Sequence, residues 1–188
     1  MSAAFRDTIE RIAKLAPTIR PIVLGALLSR LFLERDVDLT IVGGAAVQYY
    51  TQAAYLTKDL DAILYGADRE IADQVMSRAG FDRTTSYRHY VHPALETPVE
   101  FPTPPLAVAS RIIAKVSDVQ TEEGLVRIVR IEDIIMDRMT AAVEWKDRAS
   151  LDQAKLIWIK NKKQIDRKYL IAFAKEEGYL KTLKEVMQ

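Results

Sequence analysis

The sequence predicts a mixed α/β fold, a short mixed sheet flanked by helices and followed by a helical C-terminal region. Three observations carry this prediction. Asp38-Leu39-Thr40-Ile41-Val42 is a short apolar run that breaks into Gly43-Gly44 and then a helical pattern. Asp59 to Leu64 alternates as a strand does, and from Glu132 onward the chain keeps helical spacing to its end.

Taken in order, Ala3 to Lys14 and Pro21 to Arg35 carry apolar residues three and four apart, as amphipathic helices do, with Pro17 and Pro21 between them. Asp38 to Val42 is the first strand and Ala45 to Ala54 the helix that follows. In the strand Asp59 to Leu64, side chains two apart share a face, so Asp59, Asp61 and Ile63 point one way. A helix from Asp68 to Arg78 stops at Gly80. Thr84 to Val91 and Thr97 to Phe101 read as strands parted by His92-Pro93, the second kept short by Pro98, Pro102, Pro104 and Pro105. Ile112 to Val119 and Leu125 to Val129 form a hairpin around Thr121-Glu122-Glu123-Gly124, although the first arm is equally compatible with a helix. Ser150-Leu151-Asp152-Gln153 has the form of a capping box that opens a helix, and Asp166 and Gly178 mark later boundaries. The organisation expected is N-terminal helices over 1–35, a core over 36–130 and a helical region over 131–188.

Composition narrows the function. There is no cysteine, which removes disulfides, thiolate metal sites and cysteine nucleophiles. The first fourteen residues mix charges into their apolar positions, unlike a signal peptide, and no apolar run is long enough to span a bilayer, so the expected location is the cytoplasm, away from membranes. A net charge of +1 makes no global case for nucleic acid. Locally, Lys155, Lys160, Lys162, Lys163, Arg167 and Lys168 form a cationic run, read either as the solvated face of a helix or as an RNA phosphate contact.

Asp59-Leu60-Asp61 is the strongest chemical signal. Two carboxylates on one strand face repel unless a cation lies between them, and hard oxygen ligands of this kind suit Mg²⁺, used as a pair of ions in phosphoryl chemistry. Upstream, Gly43-Gly44 stands where a strand gives way to a helix, a place where backbone amides approach an anion. Either half alone is commonplace; their order and separation are not.

The string TIVGGAAVQYYTQAAYLTKDLDAIL resembles the signature of the DNA polymerase β-like nucleotidyltransferase superfamily, and most closely its minimal bacterial branch of AbiEii-type abortive-infection toxins. The resemblance covers about Leu39 to Leu64 well and RIEDIIMDRMTAAVEWKDRASLDQAKLI more loosely. It implies a nucleotidyltransferase fold in which Asp59, Asp61 and a third carboxylate hold two Mg²⁺ ions, while Gly43, Gly44, Ala45 and Lys58 bind the nucleoside triphosphate. Glu100, in Val99-Glu100-Phe101, matches the third acid best; Glu96 is the runner-up. The implied activity is transfer of a nucleoside monophosphate to RNA, particularly tRNA, or to a protein, as in a toxin–antitoxin or phage-defence system. Three positions depart from the family pattern: Ala45 where relatives use Ser, Tyr55 where an Arg often stands, and Asp137 where AbiEii-type relatives often carry Lys. Lys58, Arg88 and Arg111 are candidates to restore the missing charge. The alternative reading is an inactive binding module that acts through a protein partner such as an antitoxin.

The remaining features read as structural. His89 and His92 do not share a face and are surface or structural residues rather than a zinc pair. Trp145 and Trp158 pack the C-terminal helices. Ile22, Val23, Leu24, Leu27, Leu28, Leu31 and Leu33 are an apolar surplus explained by core burial or by a homodimer interface.

Overall fold

The computed structural model describes residues 3–188, with side chains from residue 5. Its helices are α1 (Ala3–Ala13), α2 (Arg20–Leu33), α3 (Gly43–Tyr50), α4 (Arg69–Arg78), α5 (Ile131–Glu144), α6 (Arg148–Asn161), α7 (Arg167–Glu176) and α8 (Leu180–Val186). Its strands are β1 (Asp38–Val42), β2 (Leu60–Tyr65), β3 (Asp82–Arg83), β4 (His89–His92), β5 (Leu95–Glu100), β6 (Ala107–Val108), β7 (Arg111–Ile112), β8 (Val116–Thr121) and β9 (Gly124–Val129). Seven strands form one mixed sheet in the order β3-β4-β5-β2-β1-β9-β8, and β6 and β7 make a separate small ribbon. No helix among the described residues is long and apolar enough to cross a membrane.

The centre of the sheet sets up everything else. β1 and β2 are antiparallel, with Val42 opposite Asp61 and Asp38 opposite Tyr65. β2 is parallel to β5, which puts Asp61 beside Glu100, and β1 is parallel to β9. Parallel neighbours must be buried on both faces. α2 covers β1 and β9, and α3 lies on β1 and β2. Ile22, Val23, Leu24, Leu27 and Leu28 are all buried in this chain's own core, so these members of the apolar surplus are accounted for within the chain; only Leu33 is well exposed.

Several elements differ from the sequence reading, each for a local reason. α3 begins at Gly43 and ends at Tyr50, because the glycine pair forms the first helical turn instead of a loop before it. β2 begins at Leu60, which leaves Asp59 just ahead of the strand. Of the strand expected over Thr84 to Val91 only the end is strand, as β4; Thr84 to Arg88 form the loop after β3, in which Thr84 Oγ1 accepts from the Ser86 N–H. β4 also shifts register against β5 between Tyr90 and His92, alongside Pro98, which brings no N–H to a ladder. Of the arm expected from Ile112 to Val119, Ile112 belongs to the β6–β7 ribbon and the hairpin strand starts at Val116. α6 starts earlier than the Ser150 box: Asp147 is the cap, accepting from the Ala149 N–H (2.9 Å) and the Ser150 hydroxyl (2.6 Å). Asp166 caps α7 as expected. Trp158 is buried, whereas Trp145, at 78% exposure, packs nothing.

Candidate active site

The site forms where β1 turns into α3. Gly43 has a φ of 57°, a left-handed value that suits glycine, and a side chain there would fall onto the Asp61 carboxylate. Gly44 is equally confined, since an added Cβ would sit 2.5 Å from Thr57 Oγ1. The glycines therefore let the first turn of α3 press against both aspartates. The Gly44 N–H is close enough to Asp61 to favour its ionised form. Ala45 lies in the core, its side chain fully buried.

Asp59 is placed by a relay. Thr57 Oγ1 donates to Asp59 Oδ1 (2.5 Å), and the Thr57 N–H donates to Gln48 Oε1 (2.8 Å). Gln48, 1% exposed on α3, donates through Nε2 to the carbonyls of Pro17 (2.9 Å) and Thr18 (3.0 Å). A buried amide with both ends satisfied holds its partners firmly. The fixed length of this relay ties Asp59 to the loop between α1 and α2.

Glu100 is half-buried at the end of β5. It meets His89 Nε2 at 3.0 Å and Arg88 Nη2 at 3.4 Å. His89 thus lies at the site; its signal was only its place opposite Glu100 in the β4–β5 register. His92 is buried with its Nδ1 accepting from the Ala94 N–H, which makes it structural. Glu96 is 92% exposed, pairs loosely with Arg20, and stands four residues, roughly 13 Å, up the strand from Glu100. That distance removes it from the site.

Asp61 carries the electrostatic strain. Burial, then the charges of Asp59 and Glu100, push its carboxyl from 3.8 up to about 6, against the Gly44 amide and Arg138. Arg138 was not foreseen. It reaches from α5 into a cleft of about 210 Å³ that Gly43 and Asp61 also line, and its guanidinium is steadied by Asp137 and Gln153. Asp137 thus orients a cation and does not supply one. Lys58 is exposed with no ion-pair partner among the described residues, whereas Arg111 is bound to Glu176 and lies over the Phe173 ring, so it takes no part.

The donor set suits a hard divalent cation. Asp59 and Asp61 offer carboxylate oxygens in a place where added positive charge relieves the repulsion that raises Asp61. Among the described residues, no three acidic or histidine side chains are already gathered as a metal-holding group, and Glu100 is engaged by Arg88 and His89. Any ion here would draw its remaining ligands from water or substrate phosphates, as Mg²⁺ commonly does.

Two outcomes follow from this geometry. Gly44→Ala should leave thermal stability within about 1 kcal/mol, since alanine's better helix propensity offsets the crowding, yet it should turn Thr57 away from Asp59 and weaken stabilisation by Mg²⁺ in a thermal melt. Arg138→Gln removes a cation that favours the ionised form of Asp61, so the Asp61 titration followed by carboxyl-carbon NMR should move further up, not down.

No family model matches the sequence, and no curated protein is similar to it at the sequence level. Solved structures do share its architecture. An antigenic nucleotidyltransferase-like protein from Paracoccidioides brasiliensis superposes with a TM-score of 0.56 at 13% identity, over 87% of this chain and 90% of its own. The antibiotic-resistance factor ANT(2″)-Ia superposes with a TM-score of 0.52 at 18% identity, over 90% of this chain and 99% of its own. The chain has a nucleotidyltransferase fold.

Proposed function

We propose that this protein is a Mg²⁺-dependent nucleotidyltransferase that moves a nucleoside monophosphate from a nucleoside triphosphate to a hydroxyl of RNA, with a protein hydroxyl as the other acceptor. The observation that carries this is the placement of Asp61 against the glycine-walled start of α3 and beside Glu100 in the sheet register, where burial and then the charges of Asp59 and Glu100 raise it to about 6. In the reaction the acceptor oxygen forms a bond to the α-phosphorus, the bond from that phosphorus to the bridging oxygen breaks, and pyrophosphate leaves. Asp59 and Asp61 are the residues that would hold Mg²⁺, which would supply charge neutralisation for the phosphates and a lowered pKa for the attacking oxygen. Glu100 is the residue to receive the acceptor's proton, once it exchanges its hold on His89 for substrate. Arg138 and Lys58 attract the triphosphate, and the exposed lysines at 160, 162 and 163 extend the cationic surface available to RNA. Lys155 is drawn away from that surface by Glu185 (2.8 Å), and Arg167 lies over the Trp158 ring.

A role as the toxin of a toxin–antitoxin or phage-defence pair is consistent with the AbiEii-like motif. The second reading, an inactive module acting through a partner, is favoured by the engagement of Glu100 with two cationic-capable groups and by Ala45 in place of Ser. The deciding experiment incubates the protein with each α-labelled nucleoside triphosphate, Mg²⁺ or Mn²⁺, and total RNA, the protein itself, or an antibiotic acceptor. Label transferred to RNA or protein supports the enzyme. If no acceptor takes label and no triphosphate with metal raises the melting temperature, the enzyme reading fails.

A further inference from the structure

β8 is the edge of the seven-stranded sheet, and its outer side is open. Thr121 and Gly124 flank the two-residue turn Glu122-Glu123, so they begin the ladder as a hydrogen-bonded pair. Alternation then makes Val119 with Val126 and Ser117 with Ile128 the bonded pairs. The N–H and C=O groups of Val116, Asp118 and Gln120 are left pointing away from β9. Among the described residues these groups have no other backbone partner. The opposite edge, β3, is only two residues long, whereas β8 runs for six with no proline, lysine or bulge. Proteins usually blunt a long free edge with one of those devices.

A trough lies alongside that edge. One part, of about 810 Å³, is walled by Leu15, Ile19, Ile22, Val23 and Tyr49 and reaches Val119 and Gln120. It meets at Tyr49 and Val119 a second, more polar part of about 470 Å³ that runs past Ser117 and Asp118 to Asn161 and Gln164. Charge differs between the two ends. Near the turn, Glu122 and Glu123 are neutralised by Arg11 and Arg30. At the far end Lys160, Lys162 and Lys163 flank Asn161 and Gln164, exposed and without ion pairs among the described residues.

We propose that β8 takes an extended segment of a partner protein as an added antiparallel strand, with apolar side chains in the trough and an acidic C-terminal end at these lysines. Antiparallel addition brings the incoming C-terminus to Val116, which is the lysine end. Unpaired backbone donors and acceptors select a peptide backbone rather than a base or a lipid. A second copy of this chain fits less well, because in the two-fold register centred on Asp118, which pairs all three outward residues, that carboxylate meets its own copy, and like charges directly opposite are destabilising. The inference does not depend on nucleotidyl transfer.

The test uses the full chain and a fluorescent octapeptide of alternating valine and threonine that ends in two glutamates. We expect saturable binding by anisotropy, with slowed amide exchange at Val116, Asp118 and Gln120. N-methylation of alternate peptide amides, which removes its donors, should weaken binding at least tenfold, and two lysines in place of the glutamates should weaken it as well. Gln120→Pro deletes an outward N–H without touching the β9 ladder and should weaken binding to the same degree. If that variant fails to fold, the N-methylated peptide on the native chain decides alone. Four results would overturn the proposal: no saturable binding; binding indifferent to N-methylation; the same amides protected without peptide as protein concentration rises, which assigns the edge to a second copy; or the same amides protected by an RNA oligonucleotide.

Discussion

Asp61→Asn should reduce nucleotidyl transfer by about 10³-fold or more, because it removes an anionic ligand where a cation contributes several kcal/mol and each ~1.4 kcal/mol is tenfold. The same variant should be more stable than the parent when metal is absent. Asp61 has a folded pKa of about 6 against 3.8, so the folded state resists its ionisation. Below about pH 4 both proteins are neutral at this position and should melt alike. As pH rises from there towards 6 the parent loses stability, and above 6 the full penalty, roughly 1–3 kcal/mol, separates the two. Melting curves at pH 4 and pH 8 in chelator measure this directly. Adding Mg²⁺ and a nucleoside triphosphate should stabilise the parent and leave the variant unmoved. A variant less stable than the parent at pH 8 would show that Asp61 is held by favourable contacts and not by crowded charge.

Asp133→Ala should cost about 3–5 kcal/mol and lower the melting temperature by about 10 °C. Asp133 is fully buried near the start of α5, where it accepts from Arg130 Nε (3.0 Å) and from the Tyr169 hydroxyl (2.6 Å) of α7. The Arg130 guanidinium lies 4.3 Å from the Tyr169 ring centre. Truncating the carboxylate leaves a half-buried guanidinium unpaired and a hydroxyl without its acceptor, both at the joint between α5 and α7. Chemical denaturation of the single variant and of Arg130→Met/Asp133→Leu separates the causes. The double variant should recover the part of the loss due to the unpaired charge, and the Tyr169 hydroxyl, still without its acceptor, accounts for the remainder.

What could be read from the sequence was what is local to it. β1, the glycine pair and β2 form one continuous stretch, Asp38 to Tyr65, whose pattern of burial, turn and alternation is local, and β1 was placed with its observed bounds. The two aspartates were named because paired carboxylates on one strand face stand out, and Glu100 because the family resemblance implies a third acid on a short apolar strand. What escaped depends on contacts between distant segments. Gln48 reads as one more polar residue in a helix until the Thr57 amide and the Pro17 and Thr18 carbonyls surround it. Arg138 reads as a surface charge until the α5 phase turns it toward Asp61. His89 gains its role only from the register of β4 on β5. The start of α6 was misplaced for another reason: Asp147 and Ser150 are both capping residues, and only the hydrogen bonds show that the serine serves the aspartate.

The wall behind Asp61 has a consequence for how such a site can change over generations. On one side it is bare backbone, Gly43 with its left-handed φ and the Gly44 N–H, and no single codon change there adds a side chain without collision. On the other side stands Arg138, a long side chain on a helix, where a shorter or neutral side chain fits without collision and weakens the pull on the triphosphate by degrees. The carboxylate is therefore anchored by a part of the chain that mutation can only break, and adjusted by a part that mutation can tune. Saturation mutagenesis should find positions 43 and 44 intolerant and position 138 permissive, with working variants at 138 differing in the pH at which Asp61 ionises.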